Sequence, residues 1–199
     1  IETIHAGRDA IAVRHRCVLV EGDLGCYSKL RKLKPDIVFN IAEGWGGPAR
    51  EGFVPTICEM LGLPYTASDP VTLNVCLHKA RTKDVLKAHG IPTPAWRVCD
   101  GAPPEVKLPA VVKPLHEGSS KGVRDTSLVR TPGQLQREVR RVQRTYRQPA
   151  IVEAFLPGRE FTVAMIGNPP KILPVVEVLF DSLPGNVNPL YSYEAKWIW

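Results

Sequence analysis

A chain of 199 residues, 44% hydrophobic and 23% charged, is long enough to bury one large core or two small ones and has the composition of a water-soluble globular protein. No apolar run is long enough to cross a bilayer, and the first residues lack the basic, apolar, then small pattern of a secretory leader, so a cytoplasmic protein with no membrane partner is expected. The net charge of +6 raises nucleic acid as a partner, but the dense basic cluster (Arg137, Arg140, Arg141, Arg144, Arg147) has helical spacing and no interleaved aromatics, which reads as a solvated helix face.

In chain order, residues 3–13 read as a helix tail and Cys17–Val20 as a short β-branched strand. Ser28–Leu33 is a short helix stopped by Pro35, and Asp36–Asn40 is a buried strand with polar ends. Residues 43–52, rich in Gly and charge, form a loop. Val54–Leu61 has helical spacing with Gly62 at the cap, and Leu63–Thr66 is a third short strand. This βαβαβ rhythm predicts a parallel, Rossmann-like sheet. Asp69 caps a helix over Pro70–Leu77, and a second helix over Lys79–Ala88 ends at Gly90. Beyond the rigid Ile91–Pro94 connector the pattern changes. Strands are predicted at 95–98, 110–113, 127–130, 150–155, 160–166 and 172–179, with one amphipathic helix over 133–146, which makes an α+β unit with an antiparallel sheet. Boundaries are expected near residues 76 and 157, giving segments 1–76, 77–156 and 157–199. The five cysteines (Cys17, Cys26, Cys58, Cys76, Cys99) are scattered, without CxxC, and are expected to be free thiols.

Three strings carry chemistry. In VVKPLHEGSSKG (111–122) a lysine ends an apolar strand and a Gly/Ser loop follows at once. Such a loop has small side chains and free backbone N–H groups, and can wrap a polyphosphate beside the fixed charge of Lys113. Taken alone it is more often a surface hairpin with a snorkelling lysine, and it does not match the Walker A pattern. In VEAFLPGREFTV (152–163) Glu153 and Glu160 flank a Pro-Gly turn beside an apolar wall, an arrangement suited to ribose hydroxyls and an adenine edge, or simply two exposed turn carboxylates. In LHKARTK (77–83) Lys79 and Lys83 stand one helical turn apart and repel each other unless an anion or carboxylate lies nearby. Lys83 is read as a solvated helix-face residue.

Together these strings resemble the D-alanine–D-alanine ligase family of the ATP-grasp superfamily. The resemblance extends over FNIAEG (39–44), EMLGLPYT (59–66), the helix with Lys79, VKP (112–114) with EGSS (117–120), EFTV (160–163) and YEAK (193–196). It implies a pre-ATP-grasp N-terminal domain (1–76), a central ATP-grasp lobe (77–156) and the beginning of a C-terminal lobe (157–199), incomplete at the C-terminus. It implies ATP and D-amino acids as ligands, with Lys79 and Lys113 on the phosphates and Ser119 and Ser120 in a mobile loop over them. Ser119 would also place the amino-acid substrate. Glu153 and Leu156 would contact the adenine and Glu160 the ribose, and Lys196 would lie in a second mobile loop near the phosphates. The family reaction phosphorylates one D-amino acid's carboxylate, and the amine of a second attacks the acyl phosphate, building a peptidoglycan precursor. Dimers are common in the family.

Departures from the family pattern are also present. EGWGGPAREG (43–52) replaces a histidine-led loop, so Glu43 stands where a His is usual; His78 replaces an aspartate before the first phosphate lysine; and Trp197 replaces a tyrosine after Lys196. These leave open a ligase for other amino acids, or a non-catalytic nucleotide-binding relative. The family's Mg2+ ligands and an arginine on the transferring phosphoryl group lie beyond the position of Trp199. The expectation is therefore a truncated chain with no metal ligands of its own, inactive alone. The first residue is not Met, and a trimmed start is expected as well.

Overall fold

The computed structural model describes residues 2–199 and divides the chain into two compact units, 1–76 and 77–199. No helix among the described residues is long and apolar enough to cross a membrane.

The first unit begins with helix α1 (Glu2–Ala12), which buries none of its residues. Helices α2 (Cys26–Leu33) and α3 (Phe53–Leu61) each place residues four apart on one face, Cys26 with Leu30 and Val54 with Cys58. Those four side chains form the unit's core, with Val20, Val38, Leu63 and Tyr65 packed around them. Gly62 closes α3 in the left-handed conformation, its N–H reaching the Cys58 and Glu59 carbonyls, as the sequence predicts. The next helix, α4 (Pro70–Leu77), is capped by Asp69, whose Oδ1 accepts from the Val71 and Thr72 amides at 2.9 and 3.0 Å.

The predicted three-stranded parallel sheet is reduced here to a single parallel bridge between Val38 and Tyr65. Val38 N donates to Pro64 O at 2.8 Å and Thr66 N to Val38 O at 2.9 Å. The ladder stops for local reasons. Pro64 has no N–H, the Asn40 amide donates to Thr66 Oγ1 (2.9 Å), and the Ala42 amide turns back onto Asn40 Oδ1 (3.1 Å). Cys17–Val20 belongs to no strand, and Val18 and Leu19 are exposed.

The second unit starts with α5 (Lys79–Ala88). Strands β1 (Trp96–Cys99), β2 (Ala110–Pro114), β3 (Leu128–Val129) and β4 (Ala150–Ala154) form an antiparallel sheet in the order β1-β4-β2-β3. Helix α6 (Pro132–Tyr146) opens with a capping box in which Thr131 Oγ1 accepts from the Gln134 amide and the Gln134 side chain accepts from the Thr131 amide. Its Leu135, Val139 and Val142 stripe packs on Ala110, Val112, Ala150 and Val152. Fully buried valines such as Val139, Val142 and Val152 each contribute about 1.5–3 kcal/mol relative to exposure.

Side chains alternate across a strand. The same alternation that turns Val112 and Val152 toward α6 therefore turns Val111, Lys113, Ile151 and Glu153 to the opposite face. The register Trp96↔Glu153 and Val111↔Glu153 puts Trp96 there too. On that face Ile151 packs with Ala80 of α5, Leu115 and Trp96. The arginines of α6 are exposed except Arg141, which bonds to Glu138 (2.8 Å), the Gly122 carbonyl (2.9 Å) and Ser127 Oγ (3.3 Å).

Strands β5 (Glu160–Ile166) and β6 (Lys171–Val178) form a separate two-stranded antiparallel sheet with a bulge between Val163 and Met165. Its apolar residues lie open on both faces, with the consecutive Val175 and Val176 62% and 57% exposed. Last comes α7 (Tyr193–Trp197), capped by buried Ser192.

Candidate functional site

Lys113 and Glu153 are the next-to-last residues of β2 and β4. Because the two are diagonal neighbours on one face, the Lys113 ammonium reaches Glu153 Oε2 at 2.9 Å. The other carboxylate oxygen, Oε1, lies 3.6 Å from Lys83 Nζ. Lys83 is thus not the solvated helix-face residue expected from its spacing. Its side chain is 10% exposed, donates to Thr93 Oγ1 at 2.9 Å and lies 5.6 Å from the Trp96 ring centroid. Burial pushes the Lys83 ammonium below the usual lysine range; Glu153 opposes that shift and Lys113 adds to it. The carboxylate that makes Lys83 more than a solvated cation is present, and it is Glu153.

Lys79 opens α5. Its amide donates to the Leu115 carbonyl (3.1 Å), and its ammonium donates to the Glu117 carbonyl, across the loop that follows β2. That loop is tied down at several points. The His116 amide donates to Gln148 Oε1 at 2.6 Å, Gln148 Nε2 donates to Glu117 Oε1 at 2.9 Å, and Lys121 pairs with Glu117 Oε2 at 3.3 Å. Ser119 and Ser120 both sit in the left-handed region, at φ 50° and 58°. Gly122 closes the loop at φ 83°, where an added Cβ would stand 2.4 Å from Pro114 Cγ and 2.9 Å from the Tyr146 ring.

The C-terminal segment meets this loop directly. Ser120 Oγ donates to the Tyr191 carbonyl at 2.9 Å, the Trp197 indole N–H to the Ser119 carbonyl at 3.3 Å, and the Tyr193 amide to the Val123 carbonyl at 2.7 Å. The Lys196 ammonium lies 5.2 Å from the Trp197 ring centroid and 5.9 Å from that of Tyr191. Within the segment that holds Lys196, residues 193–197 form a short capped helix, and the segment is hydrogen-bonded to residues 119–123.

Glu160, at the start of β5, has its carboxyl raised above the ordinary range by desolvation, with the Lys113 charge pulling it back down. It is exposed by surface area yet near enough to Lys113 to feel its field. Leu156 is 65% exposed and joins none of the hydrophobic clusters. The structure thus brings together Lys113 with Glu153, Lys79 with the 115–122 loop, and Ser119 and Ser120 with the Lys196 helix, while Leu156 stands apart. The missed member is Lys83, whose side chain shares with Ala80 the face of α5 that packs on the sheet.

The profile of the D-ala D-ala ligase C-terminus matches residues 85–198. An uncharacterized protein of Sinorhizobium fredii, y4sG, is 36% identical over 92% of this chain and 56% of its own length. The D-alanine–D-alanine ligase of Moorella thermoacetica is 32% identical over 92% of this chain and 60% of its own. Among solved structures, the D-alanine–D-alanine ligase of Coxiella burnetii aligns at TM-score 0.58 with 29% identity, covering 72% of this chain and 42% of that one. The Bacillus anthracis ligase complexed with ATP aligns at TM-score 0.63 and 24% identity over 80% of this chain and 54% of that one, a likeness of fold. The chain spans 56% and 60% of the length of those two curated relatives. It belongs to the D-alanine–D-alanine ligase family of the ATP-grasp superfamily.

Proposed function

We propose that this chain carries the nucleotide-binding part of an ATP-dependent carboxylate–amine ligase that forms a D-amino-acid dipeptide through an acyl phosphate, for peptidoglycan precursor synthesis. The observation that carries the reading is the pairing of Lys79 and Lys113 around residues 115–122. One ammonium clasps the loop backbone at Glu117, and the other stands at the strand end from which the loop leaves. Two fixed cations beside a loop of small residues suit a polyphosphate bearing about four negative charges.

In this reading Lys79 and Lys113 hold phosphates, and Ser119 and Ser120 form the cover. Lys196, on α7, completes the cover, and Ser119 with Lys196 meets the reacting carboxylate. Glu160 takes the ribose, and Glu153 and Leu156 border the adenine. The 77–156 lobe and the start of a second lobe at 157–199 enclose the nucleotide in a cytoplasmic enzyme. Among the described residues no group of three or more His, Cys, Asp or Glu side chains comes together to hold a metal ion. The described residues do not by themselves make a magnesium donor set. What these residues contribute is charge neutralisation and water exclusion around the phosphates rather than a nucleophile.

The amino-acid pair is open to a second reading. Trp197 stands where the family pattern has a tyrosine, and its indole donates to the Ser119 backbone. A bulkier donor on the residue that places the amino acid favours a substrate other than D-alanine. ATP binding to the chain by calorimetry, followed by ATP-dependent phosphate release from the protein at its relatives' length across a panel of D- and L-amino acids, tests both. Failure to bind ATP overturns the nucleotide assignment, and release that ignores D-alanine selects the second reading.

A further inference from the structure

Three charged groups share the α5 face of the second unit's sheet, and they are not equivalent. Glu153 is 8% exposed in its side chain, Lys83 10% and Lys113 27%. Lys83 is fixed by Thr93 and the Trp96 ring, whereas Lys113 stands at a strand end where a loop begins. Each lysine holds a different oxygen of the one carboxylate.

We propose that Lys83 is a positioning residue for Lys113: it is the resident counterion of Glu153, so that Lys113 can leave the carboxylate for an incoming polyphosphate without stranding a buried negative charge. This rests on the nucleotide assignment above. A buried carboxylate stripped of its partner is strongly unfavourable, and Glu153 with Lys113 as its sole counterion would compete with phosphate for that lysine. With Lys83 in place the carboxylate keeps a cation whether or not Lys113 is present. The departure of Lys113 also removes a like charge from beside Lys83, the one that lowers the Lys83 ammonium's affinity for its proton. The charged groups facing Glu153 are Lys113 from β2 and Lys83 from α5. Glu160 on β5 acts on the set through Lys113, and Thr93 and Trp96 are neutral.

A signature separates this role from mere support of the fold. Without Lys83, moving Lys113 to phosphate leaves Glu153 unpaired, and the carboxylate takes up a proton as nucleotide binds. Binding is then coupled to proton uptake, so affinity improves as pH falls, more than it does in the wild type.

The test is calorimetric titration of the 199-residue protein with ATP and, to leave out the base, with inorganic tripolyphosphate, at pH 8 and pH 6. Folding of each variant is checked by circular dichroism. Lys83→Met is expected to weaken both ligands about tenfold or more at pH 8 and by a clearly smaller factor at pH 6, and Lys83→Arg to stay within about threefold of wild type. The double variant Lys83→Met/Glu153→Gln, which has no carboxylate to detain Lys113, is expected to recover most of the tripolyphosphate affinity. Lys83→Met binding like wild type, or a loss that neither acid pH nor the double variant repairs, overturns the proposal. If Lys83→Met does not fold, the double variant alone decides: tripolyphosphate bound near wild-type strength supports the proposal, and its loss overturns it. A wild-type chain that binds neither ligand overturns the nucleotide assignment and this proposal with it, an outcome distinct from the others.

Discussion

Lys113 and Glu153 meet at 2.9 Å although neither is the other's partner across the sheet: Lys113 lies opposite Ile151 and Glu153 opposite Val111. The contact is diagonal, made by two long side chains on the face turned from α6. It sets the resting position of the ammonium at the end of β2 and makes that position depend on a residue 40 places away in sequence.

Replacing Lys113 tests the phosphate assignment most directly. In the protein at its relatives' length, if the proposed role of Lys113 on the phosphates holds, Lys113→Ala is expected to reduce ATP turnover by about a hundredfold or more, because the phosphates then lose one of the two cations assigned to them. Steady-state phosphate release measures it, and activity within about twofold of wild type sinks the assignment.

Gly122 is a steric requirement as well as a conformational one. At φ 83°, with Pro114 Cγ 2.4 Å and the Tyr146 ring 2.9 Å from the site of an added Cβ, Gly122→Ala must displace β2 or α6. A loss of about 2–4 kcal/mol is expected, combining left-handed strain with overpacking. Urea unfolding of the second unit reads it, and an unchanged midpoint contradicts the geometry.

The bond from Ser120 to the Tyr191 carbonyl joins two segments 71 residues apart. Ser120→Ala removes it and leaves the Tyr193–Val123 backbone bond and the Trp197–Ser119 bond to hold them. Faster cleavage by a nonspecific protease within 116–122 or 191–199 is expected, with a rate increase of about twofold to tenfold. If the reading of these segments as a cover holds, ATP slows cleavage in the wild type. Cleavage indifferent to both changes argues against a shared closed state.

Burial raises the Cys26, Cys58 and Cys99 thiols above the ordinary cysteine range. Alkylation of the native protein at neutral pH, followed by mass spectrometry, is expected to label exposed Cys76 first and these three only on unfolding. Groups raised in the folded state contribute stability that is complete below their unfolded values. That contribution fades as pH climbs through the folded ones, so the thermal midpoint is expected to fall above about pH 8.5. Tyr65, pushed up to about 12 by burial and by its bond to Glu59, extends the same trend into strong alkali. A midpoint flat to pH 10 counts against it.

Much of the fold was legible because its signals are local. Asp69 before Pro70 and Gly62 after Leu61 each mark a helix end through the backbone groups they satisfy. The first unit's sheet was over-read, because continuous apolar runs look alike whether or not a neighbour pairs with them. Pro64 and the side chains of Asn40 and Thr66 divert the hydrogen bonds a ladder would need. Lys113 and the 116–122 loop could be found from adjacency in sequence. Lys83 could not, since its burial is decided by Glu153, Thr93 and Trp96, which reach it from β4, the connector and β1. The same distance hid the doubled role of Glu153, which reads in sequence as a turn carboxylate and in space holds two lysines.

The β5–β6 ribbon governs how the protein behaves as a solute. A two-stranded sheet is marginal alone in water, and this one shows hydrocarbon on both sides, with Met165, Ile172 and Val175 each more than 60% exposed. Its two outer edges can pair with any other strand that approaches, a second molecule's included. A dye that fluoresces on apolar surface is expected to bind the folded protein at this ribbon. The ribbon's open faces and edges therefore bear on the solubility of the chain as well as on its fold.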